Sequence, residues 1–303
     1  MIAGLQKQWQ VLKNMAEAGK LPHALLFAGP EKTGKRTLAL ELAKFIFCQG
    51  EDNGQKPCCS CRSCSDVDNK THPDLSLVLP GEGSIKIAQI RDLGWRLSLK
   101  PYSAKIKVGI IDDAHLIQFD AQNSLLKTLE EPKGDTLLVL VTSSPQMLLK
   151  TIFSRVQVLK FSFSKREEIE KMLIGLGAEK ERSGEIAGLS GGRPGLAMDF
   201  FNDPGKLAAR RSAIEEIGSV VAANIPQRFN YAKKIADSPE TMNEILAIWE
   251  EYLRGKMISS DLRSGSGLLR SVKALEETIC LIKTTNANQR LALENLMLNL
   301  NIR

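Results

Sequence analysis

The sequence has no long apolar run. Its longest purely aliphatic stretch is 137–141, far short of the roughly 20 residues that a transmembrane helix needs, so we expect no membrane partner. The first 20 residues mix Gln, Lys and Glu with apolar residues and contain no apolar core of the kind that marks a secretory signal. These absences predict a cytoplasmic protein.

Aromatic residues and excess charge are also scarce. Phe, Trp and Tyr make up 5% of the chain, which argues against stacking platforms for single-stranded nucleic acid. There are 41 Lys and Arg residues against 35 Asp and Glu, a net charge of +6. This balance permits contact with nucleic acid but lacks the dense basic stripe of a dedicated DNA-binding protein. The 303 residues suffice for two or three domains.

Cysteine, by contrast, is concentrated in one segment. Five of the six cysteines fall between positions 48 and 64, and in a cytosolic protein such clustering favours metal ligation over disulfides. Cys48, Cys58, Cys61 and Cys64 follow the spacing C-x9-C-x2-C-x2-C. Four thiolates form the closed tetrahedral site typical of structural zinc. An iron–sulfur cluster and a metal-free reduced loop are the alternatives.

The apolar pattern predicts an α/β fold with a parallel sheet over the first ~160 residues, because short apolar runs alternate with amphipathic stretches. The predicted strands are 23–28, 75–79, 107–111, 137–141 and 156–161. The predicted helices between them are 37–47, 87–97, 121–129 and 147–153. After Ser162 only helices are predicted, at 165–176, 181–189, 195–201, 206–223, 226–237, 239–256, 268–285 and 288–300, with a loop at 259–267.

A glycine-bearing loop follows the first predicted strand. From Gly29 to Lys35 the sequence fits G-x-x-x-x-G-K between a strand and a helix, as a phosphate-binding loop requires. Gly29 and Gly34 allow backbone amides to point inward, and Lys35 adds a positive charge at the helix N-terminus. The next position, which should supply a hydroxyl to Mg²⁺, is Arg36, and Thr37 would point about 100° away around the helix. The loop predicts a P-loop fold but argues against ATP binding, and a bare strand–helix turn is the alternative.

An acidic pair follows the third predicted strand. Asp112 stands where the Walker B aspartate would hold Mg²⁺, and Asp113 stands where an ATPase needs Glu to polarise the attacking water. Asp113 is one methylene shorter than Glu, and reaction geometry tolerates such shifts poorly. The alternative is that both aspartates end the strand and cap the next helix.

Several segments resemble bacterial clamp-loader subunits of the AAA+ family. They are 23–30 (HALLFAGP), 125–132 (LLKTLEEP), 142–145 with Ser154 and Arg155, the four-cysteine insertion, and 286–294 (NANQRLALE). The resemblance extends over nearly the whole chain. It implies an α/β P-loop (AAA+-type) parallel-sheet domain at 1–162 with a zinc-binding insertion at 48–64. A small helical lid at 163–204 and an all-α oligomerisation (collar) domain at 205–303 would follow.

Within that family, the chain resembles the stationary delta-prime type. The motor subunits, gamma and tau, keep Ser or Thr where Arg36 stands and Glu where Asp113 stands. The resemblance implies a component of the DNA polymerase III holoenzyme without ATPase activity of its own. Its implied partners are gamma/tau, delta, the sliding clamp and primer–template DNA, in a heteropentamer. The alternatives are an active gamma/tau-type ATPase and a zinc-containing P-loop protein that binds DNA or a partner outside replication.

The resemblance also implies roles for single residues. Thr142 corresponds to sensor 1, and Arg193 in the segment GGRPG corresponds to sensor 2 on the lid. Arg155 corresponds to the arginine of the family's Ser-Arg-Cys motif, which reaches into a neighbour's ATP site, although the third residue here is Val156. A surface arginine and a bare loop are the alternatives for Arg155 and Arg193.

The family also helps to choose among the cysteines. It places zinc in this insertion and usually has Gly where Cys59 stands, so Cys58 is the predicted ligand and Cys59 an extra thiol. His72 is not needed as a ligand because four sulfurs fill the shell. Cys280, on an apolar helical stretch, is predicted to lie in the core.

Overall fold

A five-stranded parallel sheet organises the first part of the chain in the computed structural model, which describes residues 4–50, 56–132, 134–259, 265–285 and 287–300. The strands are β1 (Ala24–Ala28), β2 (Leu75–Val78), β3 (Lys107–Ile111), β4 (Thr136–Thr142) and β5 (Gln157–Lys160). Their order across the sheet is β2-β3-β4-β1-β5, and every neighbouring pair is parallel. The predicted parallel sheet is confirmed, with each strand end within one residue of its predicted position.

Helices cover both faces of this sheet. They are α1 (Gln6–Glu17), α2 (Lys35–Phe47), α3 (Arg62–Asp68), α4 (Ile87–Ser98), α5 (Phe119–Glu130) and α6 (Lys150–Phe153); α7 (Arg166–Gly175) follows β5 in the chain. No helix was predicted at α1 or α3. α3 spans seven residues, too few to show a sustained apolar period. Leu5, Trp9 and Leu12 do follow helical spacing, so the signal for α1 was present and the prediction missed it.

The alternation of side chains along β1 explains why both faces need cover. Leu26 faces a cluster that includes Leu93 of α4 and Leu125 of α5. Leu25 and Phe27, which flank Leu26 in the strand, face the opposite cluster, which includes residues of α1 and α2. All five residues of β1 are therefore buried, as expected for a parallel sheet covered on both sides.

The predicted helix at 147–153 is only partly correct. A 3₁₀ turn at Pro145–Met147 precedes α6, and between them Leu148 has extended backbone angles and Leu149 non-helical ones. Instead of joining a helix, the amide of Leu149 donates to Oε1 of Gln122 (2.8 Å), whose Nε2 donates to the carbonyl of Met147 (3.2 Å). Gln122 is buried on α5, and it holds this segment out of helical geometry.

The remaining described chain is helical, as predicted. The helices are α8 (Lys180–Leu189), α9 (Pro194–Asn202), α10 (Pro204–Ala222), α11 (Ile225–Ala236), α12 (Pro239–Ser259), α13 (Gly265–Thr284) and α14 (Gln289–Asn299). The predicted loop at 259–267 is too long, because α13 begins at Gly265; residues 260–264 of that prediction lie outside the described residues. Among the described residues, no helix combines the length and the apolar character needed to cross a bilayer.

The chain divides into two units. One comprises Met1–Ser183 with Gly192–Ala197, and the other comprises Gly184–Gly191 with Met198–Arg303. The first unit contains the sheet. The predicted division into three domains, at 162 and 204, stays a prediction.

The second unit has its own core around a buried tryptophan. Trp249 donates from Nε1 to the carbonyl of Ala213 (2.9 Å), and its ring stacks on Tyr231 with centroids 5.7 Å apart. The buried guanidinium of Arg210 lies 2.6 Å from Glu251 Oε2. The indole N–H and the Nη2 group of Arg210 thus have partners, as burial requires, whereas Arg210 Nε is buried without one among the described residues.

The predicted core position of Cys280 is wrong, because its side chain is exposed. The buried residues of α13 include Leu268, Val272 and Leu275, which lie along one face of the helix. Cys280 follows Leu275 by five positions, a rotation of roughly 140° around the axis. Apolar residues next to Cys280 in the sequence therefore do not indicate that its thiol lies on the buried face of the helix.

Two leucines of α14 provide a matched test of this core. Leu293 is fully buried, whereas Leu291, two positions away, is 65% exposed. We expect Leu293→Ala to lower the free energy of unfolding of the second unit by about 3–5 kcal/mol through lost burial and a cavity. Leu291→Ala should change it by less than about 0.5 kcal/mol. Chemical denaturation followed by the fluorescence of Trp249, with Trp9 and Trp95 replaced by Phe in every variant, measures both, and equal effects would contradict the assigned face of α14.

Candidate functional site

The loop between β1 and α2 is shaped by two glycines and a threonine. A Cβ at Gly29 would lie 2.2 Å from the carbonyl oxygen of Phe161, so no larger residue fits there. Gly34 precedes α2 with φ +89°, a left-handed conformation that glycine adopts most easily. The buried Thr33 donates from Oγ1 to the carbonyl of Pro30 (2.8 Å), which closes the loop on itself.

Lys35 reaches back over this loop. The buried ammonium donates to the carbonyl of Gly29 at 2.7 Å and also to that of Pro30. Burial lowers the pKa of Lys35, partly offset by nearby carboxylates of which Glu31 is the strongest. The lysine thus stabilises the loop's own backbone, and its charge lies where a phosphate-binding loop carries it.

Arg36 forms a link that the sequence pattern did not reveal. Its guanidinium lies 3.2 Å, from Nη1 to Oδ2, from the carboxylate of Asp112, which directly follows β3. The Asp112 side chain is 13% exposed and the Arg36 side chain 39%. The residue at the expected metal-ligand position therefore brings its own positive charge to the carboxylate that would otherwise hold the metal.

The neighbouring acid has a different environment. Asp113 has φ +48° and precedes the 3₁₀ turn Ala114–Leu116 without making a side-chain cap hydrogen bond to it. Burial, followed by the charge of Asp112, raises the pKa of the Asp113 carboxyl. The capping alternative for Asp113 has no hydrogen bond to support it.

These residues surround an open cavity of about 620 Å³. Gly34, Lys35, Thr37, Asp112 and Asp113 line it, together with Arg36 and the loop residue Glu31. The other predicted nucleotide-site residues, Gly29, Thr142 and Arg193, are not part of its described lining.

Thr142, and Gly195 in the segment that follows Arg193, hydrogen-bond to the loop. Thr142 is buried at the end of β4, where its carbonyl accepts from the amide of Gly29 (3.2 Å). The guanidinium of Arg193 lies 5.6 Å from the ring centroid of Phe163, within cation–π range. The amide of Gly195, two positions on, donates to the carbonyl of Lys32 (2.8 Å).

The donor set does not fit the magnesium ion that a P-loop fold implies. Magnesium binds through oxygen ligands in tight octahedral geometry, whereas Arg36 brings a cationic guanidinium to Asp112 and no hydroxyl. Repulsion between like charges opposes a metal ion at this carboxylate. The cavity can attract an anion through Lys35 and the helix N-terminus, but Arg36 stands where a hydroxyl would join Asp112 in holding a metal beside that anion.

Arg155 lies at the opposite end of the strands from the loop. It precedes β5, whereas the loop follows the carboxyl end of the parallel strand β1. Its Nη2 lies 2.8 Å from Glu130 Oε1, and its Nη1 donates to the carbonyl of Thr151 (3.0 Å) and to Ser154 Oγ (2.9 Å). Glu130 belongs to the segment LLKTLEEP, but its contact with Arg155 was not predicted. The sequence signal for this contact is that the two residues carry opposite charges.

The four cysteines selected by spacing lie together. The sulfur atoms of Cys48, Cys58, Cys61 and Cys64 are all within 4.8 Å of one another. Tetrahedral zinc with Zn–S bonds of about 2.3 Å would separate its sulfurs by about 3.8 Å, so this donor set fits a zinc-sized ion. Cys59 is exposed and is not part of the group.

Backbone contacts shape the cysteine group. The amide of Cys58 donates to Cys48 Sγ (3.3 Å), and the amide of Cys61 donates to Cys58 Sγ (3.4 Å). A Cβ at Gly50 would lie 2.9 Å from that of Cys58, so the loop must carry glycine there. Such amide-to-sulfur bonds stabilise thiolates, the form in which cysteine binds metal.

His72 has a structural role beside this group. Its buried ring stacks on Phe47 with centroids 4.1 Å apart, and Nδ1 accepts from the amide of Asp74 (3.2 Å). The buried Asp74 accepts from the amides of Tyr102, Ser103 and Ala104 at 2.7–2.8 Å. These bonds hold the pKa of Asp74 below its usual value against the effect of burial.

The geometry defines an α/β protein with a P-loop between β1 and α2, an arginine at the expected metal-ligand position and a four-cysteine group. A family model described as "DNA polymerase III, delta subunit" matches residues 4–165, which is more than half of the chain. The chain belongs to this family.

Individual relatives agree with that assignment. The chain is 46% identical over 165 residues to DNA polymerase III subunit delta' of Bacillus subtilis (54% of this chain, 50% of that protein). It is 28% identical over 297 residues to subunit tau of the same organism (91% and 52%) and 32% identical over 225 residues to subunit delta' of Pseudomonas aeruginosa (73% and 67%). The chain spans about half the length of the two Bacillus relatives.

The Arg36–Asp112 pair predicts how nucleotide binding responds to magnesium. In the wild-type chain, Mg²⁺ should not tighten binding of ADP or ATP, because the guanidinium opposes a cation at Asp112. In Arg36→Ser, a hydroxyl can join Asp112 as a ligand, so Mg²⁺ should tighten binding. Arg36→Ala is the matched control, since it removes the charge without supplying a hydroxyl.

Calorimetric titration of each full-length variant, with and without Mg²⁺, makes the comparison. Clear tightening by Mg²⁺ in the wild-type chain would show that Arg36 does not take the metal's place.

Proposed function

We propose that the chain is a non-motor subunit of the replicative clamp loader, of the delta-prime type. It would help to load the sliding clamp onto primer–template DNA and would supply Arg155 to the ATP site of a neighbouring subunit. Its partners would be gamma/tau-type ATPase subunits and a delta subunit, in a cytoplasmic heteropentamer. Relatives named delta' and tau support this assembly.

The Arg36–Asp112 ion pair is the single observation that carries the proposal. An ATPase of this fold needs a metal ion between loop and acidic strand to neutralise charge on the transferred phosphoryl group. Here a guanidinium lies 3.2 Å from the acid, and Asp113 replaces the longer Glu. A subunit with this ion pair would not hydrolyse ATP itself. It would contribute to hydrolysis by supplying a side chain to the ATP site of a neighbouring subunit.

Arg155 is the group we propose for that contribution. It lies at the amino-terminal end of β5, away from this chain's own loop, and its side chain is 33% exposed. A planar guanidinium can donate several hydrogen bonds to phosphate oxygens, which Lys does not reproduce. The unmatched Val156 in the Ser-Arg-Cys motif is a small apolar substitute and leaves the arginine in place.

The remaining regions would support assembly. We propose that 163–204 acts as a helical lid, in which Arg193 would correspond to sensor 2, and that 205–303 forms the collar that joins the subunits. The match to a tau subunit over 91% of this chain supports a shared layout. We further propose that zinc, held by Cys48, Cys58, Cys61 and Cys64, stabilises the insertion.

Arg155→Ala tests the arginine proposal. We expect the variant to fold and assemble normally and to silence ATP hydrolysis at the one adjacent site, with clamp loading slowed more than basal turnover. Arginines that act in this way contribute roughly 10³–10⁵ in rate in GTPases. The measurement is DNA-stimulated ATPase activity and clamp loading by the reconstituted complex.

Arg166→Ala is the matched control. Arg166 also forms an exposed ion pair, with Glu170 (2.9 Å), but lies on α7. Unchanged hydrolysis and loading with Arg155→Ala would identify Arg155 as an ordinary surface residue. Substantial ATP hydrolysis by the isolated chain would instead favour a gamma/tau-type motor.

Metal analysis tests the zinc proposal. Protein prepared without chelator should contain about one zinc per chain, because four thiolates complete one tetrahedral shell. Cys61→Ser and Cys64→Ser should abolish it, whereas Cys59→Ser should retain it. Finding iron, or no metal, in the wild-type protein would refute zinc.

A further inference from the structure

The guanidinium of Arg155 is anchored within its own chain. Its three contacts are with the Glu130 carboxylate, the Thr151 carbonyl and the Ser154 hydroxyl, at 2.8, 3.0 and 2.9 Å. Thr151 and Ser154 lie within four residues of Arg155 and follow the local turn of the chain. Glu130 is the distant partner and approaches from another helix.

Glu130 is well placed to hold a cation. It is the last residue of α5, where the helix dipole adds negative potential to the carboxylate's charge. The preceding turn of α5 is fixed by the buried side chains of Leu125 and Leu129. The carboxylate itself is 48% exposed, so it contributes orientation and charge without being part of the core.

The pair faces an open groove. The groove has a volume of about 630 Å³ and is lined by His23, Leu129, Glu130, Ser154, Arg155, Val156 and Gln157. An anionic group from outside can therefore reach the guanidinium. Arginine has five N–H donors, more than the three contacts use, so it can stay bound to Glu130 while it donates to a phosphate.

We propose that Glu130 is the positioning residue for Arg155. Its carboxylate fixes the plane and direction of the guanidinium, so that the phosphate of a neighbour's nucleotide meets donors that are already oriented. A long exposed arginine otherwise loses rotamer freedom when it binds, and misplacement by about 1 Å can cost 100-fold in rate. This inference rests on the function proposed for Arg155.

Variants of two adjacent glutamates provide the test in the reconstituted complex. Glu130→Ala removes the anchor, and Glu130→Gln keeps a side-chain oxygen that can accept from the guanidinium. Glu131→Ala is the matched control, because Glu131 is also exposed and is the next residue in the same segment. Each complex is assayed for kcat and KM of DNA-stimulated ATP hydrolysis at the site served by Arg155.

We expect Glu130→Ala to lower kcat at that site by about 10- to 100-fold with KM for ATP unchanged. Glu130→Gln should retain most of the wild-type kcat, and Glu131→Ala should have the wild-type kcat. If Glu130 acts only through Arg155, the double variant Glu130→Ala/Arg155→Ala should be no slower than Arg155→Ala alone. A merely structural role would not give this kcat-specific, Gln-rescued and non-additive pattern.

The outcomes separate this inference from the function beneath it. If Arg155→Ala silences the site while Glu130→Ala behaves as wild type, Glu130 has no positioning role and the function of Arg155 stands. A faster Glu130→Ala complex would make the carboxylate a restraint and would also overturn the inference. Wild-type activity of Arg155→Ala would refute the function proposed for Arg155, and with it this inference.

Discussion

The ion pair between Arg36 and Asp112 is the contact on which this account of the loop depends. It joins the first turn of α2 to the end of β3 at 3.2 Å, the two segments that a metal ion would otherwise bridge. A guanidinium is part of the chain, so its charge is present whatever ligand is bound. Lys35 likewise donates to carbonyls of the loop itself. Both cationic side chains are therefore bound to acceptors of this chain.

The parallel sheet separates this loop from Arg155. Strands that run in one direction put the phosphate loop at their carboxyl ends and Arg155 at the amino end of β5. Changes in the loop therefore need not disturb the opposite edge. That separation explains how a subunit of the proposed kind could lose its own hydrolysis and still serve a neighbour.

Much of the fold could be predicted because its signals are local. The buried run of β1 and the x2 spacing of the cysteines are each visible within a short window. The contacts between Arg36 and Asp112, which are 76 positions apart, and between Arg155 and Glu130 are not, because periodicity gives no information about which distant charges meet. The helix error at 147–153 has the same origin, since the buried side chain of Gln122 lies on another helix.

A structure of the assembled complex with Mg²⁺ and a non-hydrolysable ATP analogue would test the central claim most directly. The account predicts that Arg155 lies within about 3 Å, hydrogen-bonding distance, of the γ-phosphate bound by a neighbouring subunit. It also predicts that Arg36 still contacts Asp112 with no magnesium between them. Magnesium and nucleotide bound in this chain's own loop, with Arg155 far from any phosphate, would contradict it.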